Sequence, residues 1–194
     1  MTGDFFTHQI SDMQSIRSTD IVFLGDSLTE GFNLSHFFPE KKPINRGISG
    51  DTTTGVIYRL EEITQAKPLA VFLMIGINDL FHGVLPDKIY SNIVTILELI
   101  HDKSFGTHIY LQSLLPVNEE HLFTDVGINT MIYALNDRLR KYCKDKKFKY
   151  IDLHSEYLNR SGEMDQQFTF DGVHLSEKGY QLWAHLIKKE TTGL

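Results

Sequence analysis

The sequence has few of the features that mark membrane, secreted or nucleic-acid-binding proteins. Its 194 residues include a single cysteine, Cys143, so no disulfide can form within the chain. No apolar run approaches the roughly 18 residues that a membrane-spanning helix needs, so stable membrane insertion is not expected. The formal net charge is −6. The chain therefore lacks the broad basic surface that neutralises a phosphate backbone, and nucleic acid is not an expected partner.

Signals for secretion and for division into several domains are also missing. Residues 1–20 contain no basic segment followed by an apolar one, so a cytoplasmic location is expected. No internal repeat, low-complexity segment or linker rich in Gly, Ser or Pro interrupts the chain. The sequence therefore predicts one domain over residues 1–194, with residues 1–19 as an N-terminal extension that packs on it.

Short apolar runs alternate with segments of helical periodicity. The predicted strands are Ile21–Leu24, Pro43–Asn45, Leu69–Ile75, His108–Leu114 and Tyr150–Leu153. The clearest helical stripe consists of Ile89, Ile93, Ile96, Leu97 and Ile100, a spacing that gives a helix one apolar face. Continuous apolar strands that alternate with helices indicate a parallel sheet covered on both faces. The predicted fold class is an α/β, three-layer sandwich.

In such sheets ligands bind outside the carboxyl ends of the strands, so reactive residues are expected directly after each strand. The first strand is followed by GDSLTEG, which contains Ser27, and the second by NRGISGDTT, which contains Gly50. The third is followed by GINDL, which contains Asn78, and the segment after the last contains DGVHL, with Asp171 and His174. Four polar motifs thus occupy the places where a ligand would bind.

These motifs contain the groups that a serine nucleophile requires. A hydroxyl becomes nucleophilic when a base removes its proton and a third group holds that base. His174 follows Asp171 by three residues, so one short turn can supply both the base and its carboxylate partner. Backbone N–H of Gly50 and the carboxamide of Asn78 are candidate donors to the oxyanion that an attacked carbonyl develops.

Each of these residues, taken singly, also fits a structural role. Ser27 suits a helix N-cap, Asp171 a turn, Gly50 a left-handed turn and Asn78 a local cap. Asp26 and Asp79 are expected to support the site by accepting hydrogen bonds from backbone N–H groups. A non-catalytic binding module with the same α/β fold therefore stays an alternative.

Other catalytic classes fit the motifs less well. An α/β-hydrolase places its nucleophile in G-x-S-x-G, whereas here the fifth position is Thr29. A phosphate-binding P-loop needs a lysine after its last glycine, and Gly55 is followed by Val56. A metal-dependent phosphoesterase needs clustered histidine and carboxylate ligands, and the chain has no H-x-H pair. The candidate metal ligands of such a phosphoesterase would be Asp26, Asp51, Asn78, Asp79 and His174.

The four motifs, in this order, resemble those of the SGNH, or GDSL-type, serine hydrolase family. The stretch GDTTTGVIYRL is similar to the branch that contains the catalytic subunits of platelet-activating-factor acetylhydrolase. The resemblance implies a flavodoxin-like fold with a five-stranded parallel sheet in the order 2-1-3-4-5. It also implies that Ser27 is the nucleophile, His174 the general base and acid, and Asp171 its orienting partner. Ser27 N–H, Gly50 N–H and the Asn78 side chain would form the oxyanion hole.

The family resemblance further implies the reaction. The expected function is hydrolysis of short-chain, acetyl-like carboxylic esters through an acyl-enzyme, without a metal or organic cofactor. A lysophospholipase or thioesterase of the same mechanism is the alternative, and dimerisation is implied by the likeness to the acetylhydrolase subunits. Candidate walls of the acyl pocket are Phe32, Leu80, Phe81 and Leu115.

Overall fold

Five short apolar segments form an all-parallel sheet in the computed structural model, which describes residues 15–122 and 127–194. The strands are β1 (Ile21–Gly25), β2 (Ile44–Gly47), β3 (Ala70–Met74), β4 (His108–Gln112) and β5 (Lys149–Ile151). Their order across the sheet is β2-β1-β3-β4-β5, and every neighbouring pair is parallel. The predicted α/β fold and strand order are confirmed.

Helices cover both faces of this sheet. In chain order they are α1 (Ser27–Glu30), α2 (Leu34–Phe37), α3 (Thr53–Ala66), α4 (Ile77–Phe81), α5 (Pro86–Lys103), α6 (Glu119–Leu122), α7 (Ile128–Lys146) and α8 (Glu177–Thr192), with 3₁₀ turns at His154–Tyr157 and Gln166–Phe168. Successive side chains of a strand point to opposite faces. Val22 and Leu24 therefore pack with α3, α5 and α7, whereas Ile21 and Phe23 pack with α1 and α8.

An aromatic ladder crosses the centre of the sheet. Phe23 of β1 pairs with Phe72 of β3, which in turn pairs with Tyr110 of β4. The rings are stacked, with centroids 4.8 Å and 4.4 Å apart. Stacked aromatic pairs of this kind contribute about 0.5–1.5 kcal/mol each beyond the area that they bury. They favour the observed register, and because the three strands are parallel their carboxyl ends lie at the same edge.

The strands β3, β4 and β5 are shorter than the sequence predicts, and at the carboxyl ends of β4 and β5 side chains take the place of ladder hydrogen bonds. β4 stops at Gln112, since both the N–H and the C=O of Leu114 bond to the Asn136 carboxamide at 2.9 Å. β5 stops at Ile151, since Leu153 N–H donates to Ser113 Oγ at 2.9 Å. The segments after β4 and β5 are thereby released from the sheet and are free to shape its carboxyl edge.

The predicted N-terminal extension lies mostly outside the described residues, which begin at residue 15. Its packing, and the assignment of residues 1–194 to one domain, therefore stay predictions. Within the two described ranges, no helix has the length and apolar character needed to cross a membrane.

Candidate active site

A chain of two hydrogen bonds joins the serine after β1 to the turn before α8. Ser27 Oγ lies 3.0 Å from His174 Nε2, and His174 Nδ1 lies 2.6 Å from Asp171 Oδ2. The serine and histidine are 147 positions apart in the sequence. The fold therefore places a hydroxyl, an imidazole and a carboxylate next to one another in the spatial order that base-assisted nucleophilic attack requires.

The Asp171 carboxylate is held by its own turn. Its Oδ1 accepts hydrogen bonds from Val173 N–H at 2.9 Å and His174 N–H at 2.7 Å, while Oδ2 faces the imidazole. Partial burial alone would raise the pKa of Asp171, but the hydrogen bonds from His174 and from the two backbone N–H groups outweigh it and lower the pKa. The carboxylate is therefore kept ionised and fixed in orientation beside His174.

The turn that carries the acid and the base, residues 169–174, is held by hydrogen bonds within it and packs against the loop after β4. Thr169 Oγ1 accepts from Gly172 N–H at 2.9 Å and donates to His174 C=O at 2.8 Å. Gly172 has a φ of +94°, and a Cβ there would lie 3.1 Å from Asn118 C=O. Asn118 N–H also donates to Gly172 C=O at 2.8 Å. Glycine is thus required at 172 by both its backbone conformation and its close neighbour.

Three potential donors face the same edge of the sheet. Neither Ser27 N–H nor Gly50 N–H donates a hydrogen bond to another described residue, and Gly50 has a φ of +76° with open space where a Cβ would stand. Asn78 Nδ2 donates to Asp51 C=O at 2.9 Å. Because a carboxamide carries two N–H donors, this bond orients the group and leaves one N–H for a ligand.

Asp79 ties the helix that carries Asn78 to the start of α3. Its carboxylate is buried and accepts from Thr53 N–H at 2.8 Å and from Thr53 Oγ1 at 2.6 Å. Asn92 of α5 in turn donates to Thr53 Oγ1 at 2.8 Å. Since α3 begins just after the loop that contains Gly50, this network fixes that loop relative to Asn78.

Asp26 is a buried carboxyl group beside the nucleophile. It is 1 % exposed and caps α1, with Oδ1 accepting from Leu28 N–H at 3.0 Å. Burial raises the pKa of Asp26 to about 7, although the Leu28 hydrogen bond opposes the shift. The charged form is poorly solvated there. Asp26, rather than Ser27, is thus the N-cap, and its ionisation works against the folded state.

The raised pKa of Asp26 predicts a pH-dependent gain in stability for Asp26→Asn. Because the folded-state pKa lies above the ordinary value of 3.8, the native state binds this proton more tightly than the unfolded chain does. Stability is therefore lost as the pH rises through the window from about 4 to 7. Asparagine keeps an oxygen for Leu28 N–H but carries no charge. We expect the free energy of unfolding of the variant, relative to the parent, to increase by about 2–3 kcal/mol between pH 5 and pH 8.

Urea unfolding of the two proteins at both pH values measures this difference. Asp165→Asn is the control, since Asp165 caps the turn Gln166–Phe168 in the same way at a more exposed position. A difference between Asp26→Asn and the parent that stays constant with pH would contradict the burial of a costly carboxylate at Asp26.

A small apolar cavity of about 10 Å³ is lined by chain neighbours of Ser27, Asn78 and His174, although these three residues do not line it themselves. This is room for about one water-sized group. It is bounded by the neighbours of the site residues: Asp26 and Leu28 flank Ser27, Ile77 precedes Asn78, and Val173 precedes His174. The other lining residues come from the end of β3, the residue that follows it and the segment after β4: Met74, Ile75, Leu114, Leu115, Pro116 and Val117.

Of the four predicted pocket walls, Leu115 is the one that lines this cavity. Phe32 is buried in the core on the α8 side of the sheet, where its ring stacks on Trp183 at 4.7 Å. Leu80 is buried in the core on the other face. Phe81 is 40 % exposed and does not border the cavity. Apolar character alone did not distinguish a wall from core packing, because both bury the same kinds of side chain.

Several residues that support the site were not predicted from the sequence. Tyr180 of α8 donates to Leu28 C=O at 3.0 Å, and Glu30 accepts from Ser49 N–H at 3.0 Å. The ring of Phe170, which is 67 % exposed, stacks on the His174 imidazole with centroids 5.9 Å apart. Arg59 Nε donates to Asp51 Oδ2 at 2.8 Å, and both residues lie in the stretch GDTTTGVIYRL. No spacing rule pairs them, and that stretch indicated a branch of the family but no role for Arg59.

The described residues contain no group of three or more His, Cys, Asp or Glu side chains arranged to hold a metal ion. Asp26, Asp51, Asp79 and His174, which a metal-dependent phosphoesterase would use, instead have the separate hydrogen-bonding partners given above.

Comparisons with known proteins identify relatives along most of the chain. It is 24 % identical over 183 residues to an N-acylneuraminate cytidylyltransferase of Streptococcus agalactiae, covering 89 % of this chain but 40 % of that protein. The chain thus spans well under half the length of that relative. It is 23 % identical over 171 residues to platelet-activating factor acetylhydrolase IB subunit alpha1 of Bos taurus, covering 84 % and 71 % of the two proteins.

A solved structure and a family model also match the chain. A GDSL-like lipase of Bacteroides thetaiotaomicron has a TM-score of 0.86 at 25 % identity, with 98 % of each chain covered. The sequence model of the GDSL-like lipase/acylhydrolase family matches residues 23–182, a span that includes Ser27, Gly50, Asn78, Asp171 and His174. The chain therefore belongs to the GDSL-like lipase/acylhydrolase family of hydrolases.

Proposed function

We propose that the protein hydrolyses short-chain, acetyl-like carboxylic esters through Ser27, His174 and Asp171. The observation that carries this proposal is the continuous hydrogen-bonded chain from Ser27 Oγ to His174 to Asp171, at 3.0 Å and 2.6 Å. Asp171 holds the Nδ1 proton of the imidazole, so that Nε2 faces Ser27 with its lone pair. The Ser27 proton therefore has an acceptor in place.

In the first half of the reaction the enzyme is acylated. Ser27 Oγ attacks the ester carbonyl carbon while His174 Nε2 takes the hydroxyl proton. The carbonyl oxygen becomes an oxyanion, which accepts from Ser27 N–H, Gly50 N–H and Asn78 Nδ2. The bond to the alcohol oxygen then breaks, and His174 gives its proton to the departing alkoxide.

In the second half, water releases the acid. His174 Nε2 removes a proton from the water, whose oxygen attacks the acyl carbon and forms a second oxyanion in the same hole. The bond to Ser27 Oγ breaks, and His174 returns the proton to the serine. The cycle consumes one ester and one water and needs no group beyond these residues.

The small size of the cavity lined by the neighbours of Ser27 supports a short acyl group as the substrate. The cavity is apolar except for Asp26 and offers space for little more than a methyl group. Leu115, in the loop after β4, is one of the residues that line it and is 3 % exposed. A longer acyl chain would need this wall to move, which disturbs a packed interior.

A chain-length series tests this proposal. With aryl esters from acetyl to octanoyl, we expect kcat/KM to fall at least about 100-fold from acetyl to octanoyl, because each unaccommodated methylene costs about 1–3 kcal/mol. Leu115→Ala should raise the butyryl-to-acetyl ratio at least about tenfold by enlarging the cavity. Leu34→Ala is the matched control, since Leu34 is equally buried but lies in the aromatic core, away from the cavity.

The remaining substrates in the series separate the alternatives. A lysophospholipid and an acetyl thioester test the two other acylhydrolase activities, and an O-acetylated sugar tests the alcohol side. Preference for octanoyl esters, with no effect of Leu115→Ala, would overturn the short-chain assignment. A protein that hydrolyses no member of the series would instead match the non-catalytic binding module.

A further inference from the structure

A single side chain, that of Arg59, links the segments that supply the three oxyanion donors. From α3, its Nη2 donates to Gly25 C=O at 2.9 Å, and its Nη1 donates to Arg46 C=O at 2.9 Å. Its Nε donates to Asp51 Oδ2 at 2.8 Å. Gly25 and Arg46 stand at or next to the ends of β1 and β2, so the guanidinium bridges two strand ends and the loop that follows β2.

Asp51 carries this link onward to Asn78. Its carboxylate is bonded to Arg59 by Oδ2 and to Thr52 N–H by Oδ1 at 2.8 Å. Its C=O accepts from Asn78 Nδ2 at 2.9 Å. The residue that orients the Asn78 carboxamide is therefore itself oriented by Arg59, and it directly follows Gly50.

The same guanidinium also holds the strand end that precedes the nucleophile Ser27. Gly25 C=O, which accepts from Arg59, precedes Ser27 by two residues and also accepts from Ile48 N–H at 3.1 Å. Ile48 begins the loop that contains Gly50. Ser27 N–H and Gly50 N–H thus belong to segments that are joined both to each other and to Arg59.

We propose that Arg59 is a positioning residue for the oxyanion hole, an inference that rests on the ester hydrolysis proposed above. The hole works when its donors lie about 2.7–3.1 Å from the developing charge, and a displacement of about 1 Å can lower a rate about 100-fold. Arg59 sets the spacing of Ser27 N–H, Gly50 N–H and Asn78 Nδ2 without touching the substrate. Lysine cannot replace it, since an ammonium group has no planar fork to reach three separate acceptors.

The central test is the Arg59→Lys variant, assayed with an aryl acetate. We expect kcat to fall about 10- to 100-fold, with KM changed less than about threefold, because the lost interactions act on the transition state. A role confined to stability would lower the melting temperature and leave kcat of the folded enzyme unchanged. Arg138→Lys is the matched control, since Arg138 pairs with Asp87 and stacks on Tyr90 and has no contact with the site; its kcat should stay within about twofold of the parent.

A double-mutant cycle adds a readout that a structural role would not move. If Arg59 acts through the oxyanion donors, its replacement should matter less once one donor is gone. In the Asn78→Ala background, which itself should lower kcat about 10²–10³-fold, we expect the loss caused by Arg59→Lys to shrink at least about threefold. Equal losses in the two backgrounds would overturn the proposal.

Asp51→Asn provides a second variant if Arg59→Lys does not fold. It breaks the ion pair to Arg59 but keeps the Asp51 C=O that holds Asn78, and we expect a loss in kcat of about tenfold. If Arg59→Lys has the kcat of the parent, the role of Arg59 is overturned while the proposed ester hydrolysis is not. The same holds for Asp51→Asn, if that variant is used because Arg59→Lys does not fold. A parent protein without esterase activity overturns the proposed function, and the Arg59 role with it.

Discussion

Replacing Ser27 with alanine is expected to lower kcat for an acetyl ester by about 10⁴-fold or more, because no acyl-enzyme can form. The Ser27 side chain makes its hydrogen bond to His174 and does not cap α1, since Asp26 does. Its removal should therefore leave the thermal unfolding temperature within a few degrees of the parent. Steady-state hydrolysis of an aryl acetate and circular dichroism measure the two quantities.

An organophosphate that phosphorylates activated serines gives an independent readout of the same change. The parent should gain the mass of one phosphoryl adduct, and Ser27→Ala should gain none. Ser91→Ala is the control, since Ser91 is an exposed serine of α5 that bonds to Asp87 C=O. Retention of more than a hundredth of the parental rate by a folded Ser27→Ala protein would refute the assignment of the nucleophile.

Asp171→Asn is expected to lower kcat about 10³–10⁴-fold, through the tautomer of His174. The two backbone N–H groups of Val173 and His174 point at Oδ1, so an asparagine must keep its oxygen there. Its NH₂ group then occupies the position of Oδ2, 2.6 Å from His174 Nδ1 in the parent. Nδ1 becomes the acceptor, and Nε2 carries the proton. In that state Nε2 cannot receive the Ser27 proton.

The chain offers a matched control for this substitution in a second His–Asp pair. Asp102 Oδ1 lies 2.9 Å from His101 Nδ1 on α5, at an exposed position away from the site. Asp102→Asn should leave kcat within about twofold of the parent. If Asp171→Asn retained a tenth of the parental kcat, its carboxylate would not be what orients His174.

Much of the fold and of the candidate site could be predicted from the sequence, because both depend on local patterns. The four motifs after successive strands predicted that Ser27, Gly50, Asn78, Asp171 and His174 converge, and the structure brings them to one edge of the sheet. The order of the strands came from the family resemblance, since alternation of strands and helices does not itself fix it.

What escaped prediction depends on contacts between distant segments. The ends of β4 and β5 are set by Asn136 and Ser113, whose side chains replace ladder hydrogen bonds. Phe32 packs in the aromatic core and does not line the cavity, and its ring stacks on Trp183, which lies far along the chain. Arg59 gave no sign of its role, since its three acceptors are a carboxylate and two backbone carbonyls that only the fold assembles.

The contact between Asn118 and Gly172 constrains how relatives of this protein can diverge. One short loop carries Leu115, which faces the cavity, and Asn118, which holds the turn of the acid and base. A side-chain replacement at 115 alters the room for the acyl group and leaves the backbone of the turn in place. An insertion or deletion between these two residues would shift the histidine as well. Within this scaffold, new acyl preferences should therefore arise by substitution in the loop and not by changes in its length.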